Sequence, residues 1–322
     1  MLKLAMLIAV FLCLSANVAG AEDVEVIDRY GQIRVPAADI ISVRKTCIHP
    51  ACATHDAIVF VHGIYGDDGT FKNGEFDWPR MLPQSKADRS IDIFRINYKT
   101  SMIAWLKRDV ASMDEVVYSI FRALYPEGNA VSELVPGRYR SVNFIAHSLG
   151  GNVVSAFLHT VKSELGHEER ARYGFVITLG TPVNGSQIAN FVVIAKNVLG
   201  IIHDPLLVSL KRDNTFLRML NLWRRSENRK ADRFKCRKVN LYSAIEGASK
   251  YGFTVVSKEE AEPFFRNYAK VKYFKNLDHF LISKPASRDD ELYRWVDDII
   301  GAELGRLADV TVAGKPLCKQ TR

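Results

Sequence analysis

The chain has 322 residues, of which 48% are hydrophobic and 25% charged. That balance excludes a disordered or fibrous protein and provides for one large α/β domain or two small ones. The net charge is +8, but the basic residues are scattered. Their one dense run, Arg224 to Lys238, is interrupted by Glu227 and Asp232 and reads as a solvated face, so no nucleic-acid partner is expected. Peripheral contact with an anionic membrane surface stays open.

The N-terminus reads as a targeting segment. Lys3 precedes an apolar run from Leu4 to Ala16, and Ala19-Gly20-Ala21 supplies small residues where a signal peptidase would cut. Ser15, Asn17 and Gly20 suit hydrocarbon poorly, so residues 1–21 are expected to be a cleaved signal peptide rather than an anchor. The mature domain would span 22–322 and be exported, to the periplasm or beyond. It retains Cys47, Cys52, Cys236 and Cys318, an even number in an oxidising compartment. The simplest pairing joins Cys47 to Cys52 and Cys236 to Cys318, although four cysteines allow three pairings. A zinc site from Cys47, His49, Cys52 and His55 is the alternative, disfavoured by export and by the spacing. No metal or organic cofactor is expected.

Short strands are expected over Val24–Val35 and Ile40–Arg44, around a turn at Gly31. Strand composition recurs at Ala57–Val61, Ile91–Tyr98, Val142–Ala146, Phe175–Leu179, Val239–Ala244 and Val271–Phe274. Helical patterns lie between several of these. Ile103, Leu106, Val110, Met113, Val117, Ile120 and Leu124 alternate spacings of three and four and mark one helix face. Asn152–Leu165 and Asp289–Leu307 are two further helices. Apolar strands alternating with helices predict a mostly parallel sheet covered by helices on both faces. Residues 187–223, apolar and broken at Pro205, depart from this rhythm; they read either as a helical cap inserted over a site or as core-packing helices.

Three segments carry chemistry, each at the end of a predicted strand. Phe144 to Gly151 reads F-I-A-H-S-L-G-G, a strand running into a serine flanked by small residues. This is the pattern of a nucleophile elbow, with Ala146 where the first glycine of G-x-S-x-G would stand. Its serine, Ser148, needs a base to accept its proton and an acid to orient that base. Before it, Val59 to Asp67 forms a strand ending in His62-Gly63 and a glycine-containing loop. The amides of Ile64 and of Leu149 would form an oxyanion hole, with His62 shaping the loop. After it, Asp278-His279 follows the last strand, and His279 is the candidate base. His147 is expected to point away along the turn. Glu246, beyond the strand Val239–Ala244, is the candidate acid, with Asp204 the runner-up. Asp278 is disfavoured because adjacent residues rarely line up as needed.

The order oxyanion loop, serine, acid, histidine is that of the α/β-hydrolase fold. The blocks His62 to Asp67, Phe76 to Pro83, Ile93 to Tyr98, Leu179 to Ser186 and Asp278 to Pro285 resemble lipase-like hydrolases of the GPI-inositol-deacylase and serine-active-site families. Val183-Asn184 stands where those families often carry a histidine, and any role of that histidine is not carried over. The resemblance, over roughly residues 57 to 300, implies the fold and serine-hydrolase chemistry. The sequence thus points to an exported, lipase-like esterase acting on an ester or lipid substrate. The alternative is a non-catalytic member of the fold that binds a lipid or protein partner. Oligomeric state is not legible.

Overall fold

The computed structural model describes residues 25–27, 33–36, 41–46, 56–64, 66–82, 91–98, 112–127, 134–185, 217, 219–224, 226, 236–249, 254–261, 269–312 and 317–318. Its centre is a seven-stranded sheet. In chain order the strands are β1 (Ile41–Thr46), β2 (Asp56–Val61), β3 (Ile91–Tyr98), β4 (Ser141–His147), β5 (Tyr173–Leu179), β6 (Asn240–Glu246) and β7 (Ala269–Phe274). Across the sheet they run β1-β3-β2-β4-β5-β6-β7. β1 is antiparallel to β3, and every other neighbouring pair is parallel. This is the strand order of the α/β-hydrolase fold. Outside it, Glu25–Ile27 pairs antiparallel with Ile33–Pro36; the expected turn at Gly31 lies outside the described residues.

The central parallel strands are mostly apolar because helices cover both faces. Every residue of β2, β4 and β5 is buried. Alternate strand residues point to opposite faces and so divide the core in two. On one face Ala57, Val59 and Val61 of β2 and Phe144 and Ala146 of β4 pack against α1 (Met113–Leu124) and α2 (Leu149–Arg170). On the other, Ile58, Phe60, Ile145 and Ile177 meet α3 (Glu291–Val312) through Leu292, Val296 and Ile300. α1 begins at a capping box: Ser112 Oγ accepts from the Glu115 amide at 3.3 Å, and Glu115 Oε2 accepts from the Ser112 amide at 2.6 Å. Such a cap satisfies amides with no partner inside the helix and accounts for a start at Met113. The predicted stripe upstream, Ile103 to Val110, lies outside the described residues.

Most of the 187–223 segment, Asp204 included, also lies outside them. Its end is helical over 219–224, and Leu217, Leu220 and Trp223 join the core on the α2 side. Arg224 follows, half-buried, and donates to Ser155 Oγ at 2.6 Å and Asn152 Oδ1 at 3.2 Å, both on α2. Burial lowers its pKa to about 10. A disulfide joins Cys236 to Cys318 and ties the chain before β6 to the segment after α3. Cys47, Cys52 and residues 1–21 lie outside the described residues. Among the described residues, no helix is long and apolar enough to cross a membrane.

Candidate active site

β4 ends at His147, and the chain turns at Ser148 into α2 with almost no loop between them. The turn forces Ser148 to φ 52°, ψ −129°, the one positive φ outside glycine among the described residues. A side chain held there is strained by about 1–3 kcal/mol, which the surrounding structure must offset. Two features do so. The Ser148 amide donates to the Leu179 carbonyl at 2.9 Å, pinning the elbow to the end of β5. Glycines clear the space around it: a Cβ on Gly63 would come within 2.6 Å of Ser148 Cβ, and one on Gly150 would collide with the carbonyl oxygen of His62. The serine is therefore wedged against the His62-Gly63 loop. Ala146, fully buried in β4 beside Val61 and Thr178, fits without a glycine's freedom.

The late loop brings a histidine to this serine. His279 Nε2 lies 3.0 Å from Ser148 Oγ, and its Nδ1 lies 2.6 Å from Glu246 Oε2. The tautomer that satisfies both contacts carries its proton on Nδ1, donates to the carboxylate and accepts from the hydroxyl. Glu246 is the last residue of β6, which runs two residues beyond the predicted end and so carries the carboxylate to the edge of the sheet. Its second oxygen, Oε1, accepts from the Val256 amide at 2.7 Å. All three side chains are buried, with 1 to 5% of their surface exposed. An ionised carboxylate at such a depth needs partners for both oxygens, and here it has them.

Ile64 and Leu149 flank the same point. Ile64 follows Gly63 in a turn closed by the Gly66 amide donating to the Gly63 carbonyl, and Leu149 opens α2 directly after the serine. His62 organises the loop. Its Nδ1–H donates to the Gly63 carbonyl at 2.8 Å, its Nε2 accepts from the Tyr98 amide at 3.1 Å, and its ring stacks on Tyr98 at 4.3 Å. Burial holds its pKa below the usual histidine value, so the imidazole bridges the ends of β2 and β3 as a neutral group. Asp278 faces its own turn: its Oδ1 accepts from the amides of Phe280 and Leu281 at 2.8 and 2.9 Å.

One expectation is corrected. His147 does not point away along the turn: its ring lies 4.9 Å from that of His279, and its Nε2–H donates to the His279 carbonyl at 2.8 Å. The strand ends one residue before the serine, so the His147 side chain crosses to the late loop. Two further features escaped the sequence. The Val256 amide that holds Glu246 carries no signature, being a backbone group. Asn184 forms a hub, accepting from Asn221 Nδ2 at 3.3 Å and donating through its side chain and amide to the carbonyls of Glu259 and Glu260 at 2.7 and 3.0 Å. Its place after Thr181-Pro182 was the available signal. Among the described residues no group of three or more His, Cys, Asp or Glu is arranged to hold a metal. The alternative zinc site at Cys47, His49, Cys52 and His55 lies wholly outside those residues.

No protein-family model matches the chain, and no curated protein matches it. Solved structures do. A phospholipase from Legionella pneumophila is 14% identical over 64% of this chain and 42% of its own, with a TM-score of 0.41. The chain thus spans less than half the length of that protein. A monoacylglycerol lipase from Paleococcus ferrophilus is 12% identical over 82% of this chain and 99% of its own, at 0.46. An esterase from Pyrobaculum calidifontis is 12% identical over 95% of this chain and 92% of its own, also at 0.46. Likenesses this distant decide neither substrate nor mechanism, and the fold is read from the strand order itself.

Proposed function

We propose that this protein is an exported serine hydrolase that cleaves carboxylic esters, with Ser148 as nucleophile, His279 as base and Glu246 as the acid that orients it. The observation that carries the reading is the continuous line from Ser148 Oγ through the His279 ring to Glu246, on a serine strained out of ordinary backbone geometry. Strain kept at a buried polar residue has a functional rationale and no packing one. As Ser148 Oγ attacks the ester carbonyl, His279 Nε2 takes its proton, and Glu246 stabilises the imidazolium that results. The amides of Ile64 and Leu149 hold the oxyanion. His279 then protonates the leaving alcohol, and water releases the acyl group by the reverse sequence. No metal or cofactor enters any step.

Export is supported by the apolar N-terminal segment and by the Cys236–Cys318 disulfide, since such bonds persist in oxidising compartments. The apolar character of residues 187–223 favours a lipid-like acyl group, with peripheral contact to a membrane surface as its setting. A fluorophosphonate probe tests the chemistry: wild type should be labelled, and Ser148→Ala and His279→Ala should not. A folded wild type that stays unlabelled and hydrolyses no p-nitrophenyl ester would leave the fold as a non-catalytic binding module. A series of p-nitrophenyl esters of increasing chain length tests the substrate class, and a maximum at acetate would count against a lipid-sized pocket.

A further inference from the structure

His147 is a buried titratable residue beside the proposed triad that the reaction as written does not use. Its place is unusual because it touches three parts of the site. It is the residue before Ser148, and a Cβ on Gly63 would lie 3.1 Å from its carbonyl oxygen, so its backbone abuts the oxyanion loop. Its side chain reaches the late loop through the 2.8 Å bond from Nε2–H to the carbonyl of His279. Burial first, and then the nearby His279, hold its pKa well below the usual histidine value, so it stays a neutral donor. A second positive charge 4.9 Å from the His279 ring would oppose the imidazolium the reaction needs.

The value of this bond changes during turnover. In the free enzyme His279 is held from both ring nitrogens, by Ser148 and by Glu246. Once Ser148 Oγ is acylated it has no proton to donate, and the contact at Nε2 is lost. The ring must nevertheless keep its position, because the second half-reaction depends on it. There a water oxygen attacks the acyl carbonyl while Nε2 takes the water's proton. The C–Oγ bond then breaks, and Oγ recovers that proton from Nε2. A base displaced by about 1 Å loses on the order of 100-fold in rate.

We propose that His147 is a positioning residue for deacylation: its Nε2–H tethers the backbone of His279 to the strand that carries the nucleophile, and so holds the imidazole in place while Ser148 is acylated. This rests on the serine-hydrolase reading above. It predicts a kinetic pattern that lost packing alone would not produce. With p-nitrophenyl butyrate, His147→Phe should lower kcat about 10- to 100-fold. KM should fall with it, leaving kcat/KM, which reports acylation, changed by less than about fivefold. A burst of p-nitrophenol and a butyryl-enzyme mass should appear in the variant but not in wild type. His147→Gln, whose side-chain amide can donate from a similar reach, should recover kcat to within about threefold of wild type, as an oriented donor requires. His147→Leu, smaller than the native ring, is measured alongside and gives the same answer should the Phe variant not fold.

The proposal is overturned if the apolar variants keep kcat within about twofold of wild type. It is equally overturned if they lose kcat/KM without accumulating acyl-enzyme, or if Gln is as impaired as Phe. Wild-type protein that neither hydrolyses the ester nor takes the fluorophosphonate label sinks the serine-hydrolase reading itself. Wild type that does both, with an unaltered pattern in the variants, sinks only the role of His147.

Discussion

The two ends of the central sheet both bury polar side chains, to opposite effect. At the end where β2 and β4 begin, Asp56 accepts from Arg140 Nη2 and Nε and, at 2.7 Å, from Ser141 Oγ. Nearby, Asn143 donates to the Ala57 carbonyl and to Ser141 Oγ and accepts from the Phe175 amide. These bonds run between neighbouring strands in ordinary extended backbone, and the charge is matched where it lies. At the end where the strands finish, one line of contacts runs from Ser148 through His279 to Glu246. Ser148 sits at its head in a strained conformation with glycines cleared around it. The first arrangement locks neighbouring strands together; the second, on the serine-hydrolase reading proposed above, is a path along which one proton moves. Burying polar groups is compatible with either, and what separates them is whether a contact is meant to be broken.

Substitutions at the two ends should therefore fail in different ways. The largest effect belongs to Glu246→Gln, which should lower kcat about 10⁴-fold by misorienting His279 while barely changing the melting temperature. Asp278→Asn, which keeps an acceptor for the Phe280 and Leu281 amides, should stay within about threefold of wild type, since it preserves a cap rather than a proton path. The opposite ranking in steady-state ester hydrolysis would move the acid from Glu246 to Asp278. At the other end Cys318→Ser should cost about 3–4 kcal/mol of stability in denaturant unfolding, because the disulfide closes a loop of 82 residues. Activity per folded molecule should not change. Asp56→Ala should cost somewhat less, about 2–3 kcal/mol, since the stranded Arg140 side chain is 21% exposed and can recruit water. It too should spare kcat; a loss of turnover at full folding would show that the two ends are coupled and blunt the contrast drawn here.

The architecture was legible because burial on both faces imposes apolar runs such as Ala57–Val61. The antiparallel placement of β1 was not legible, since local composition says nothing of direction. Helix starts shifted where side-chain caps and the elbow, rather than periodicity, set them: α2 begins at Leu149 and not Asn152. Around the site, residue types were readable one at a time. Ser148, His279 and Glu246 could be singled out because each follows an apolar strand in a chemistry-bearing context.

By itself, then, the sequence determined the alternation of strand and helix, the order of the His62-Gly63 loop, Ser148, Glu246 and His279, and the small residues around the serine. These are local properties, written in composition and spacing. Only the tertiary structure decided that His279 lies 3.0 Å from Ser148, 131 positions away in the chain, and that Glu246 rather than Asp278 faces its ring. Only it turned His147 toward the His279 carbonyl and placed the Val256 amide on the carboxylate. Such contacts depend on the parallel register that brings β4, β6 and the loop after β7 to one edge, a long-range quantity that no window of sequence contains.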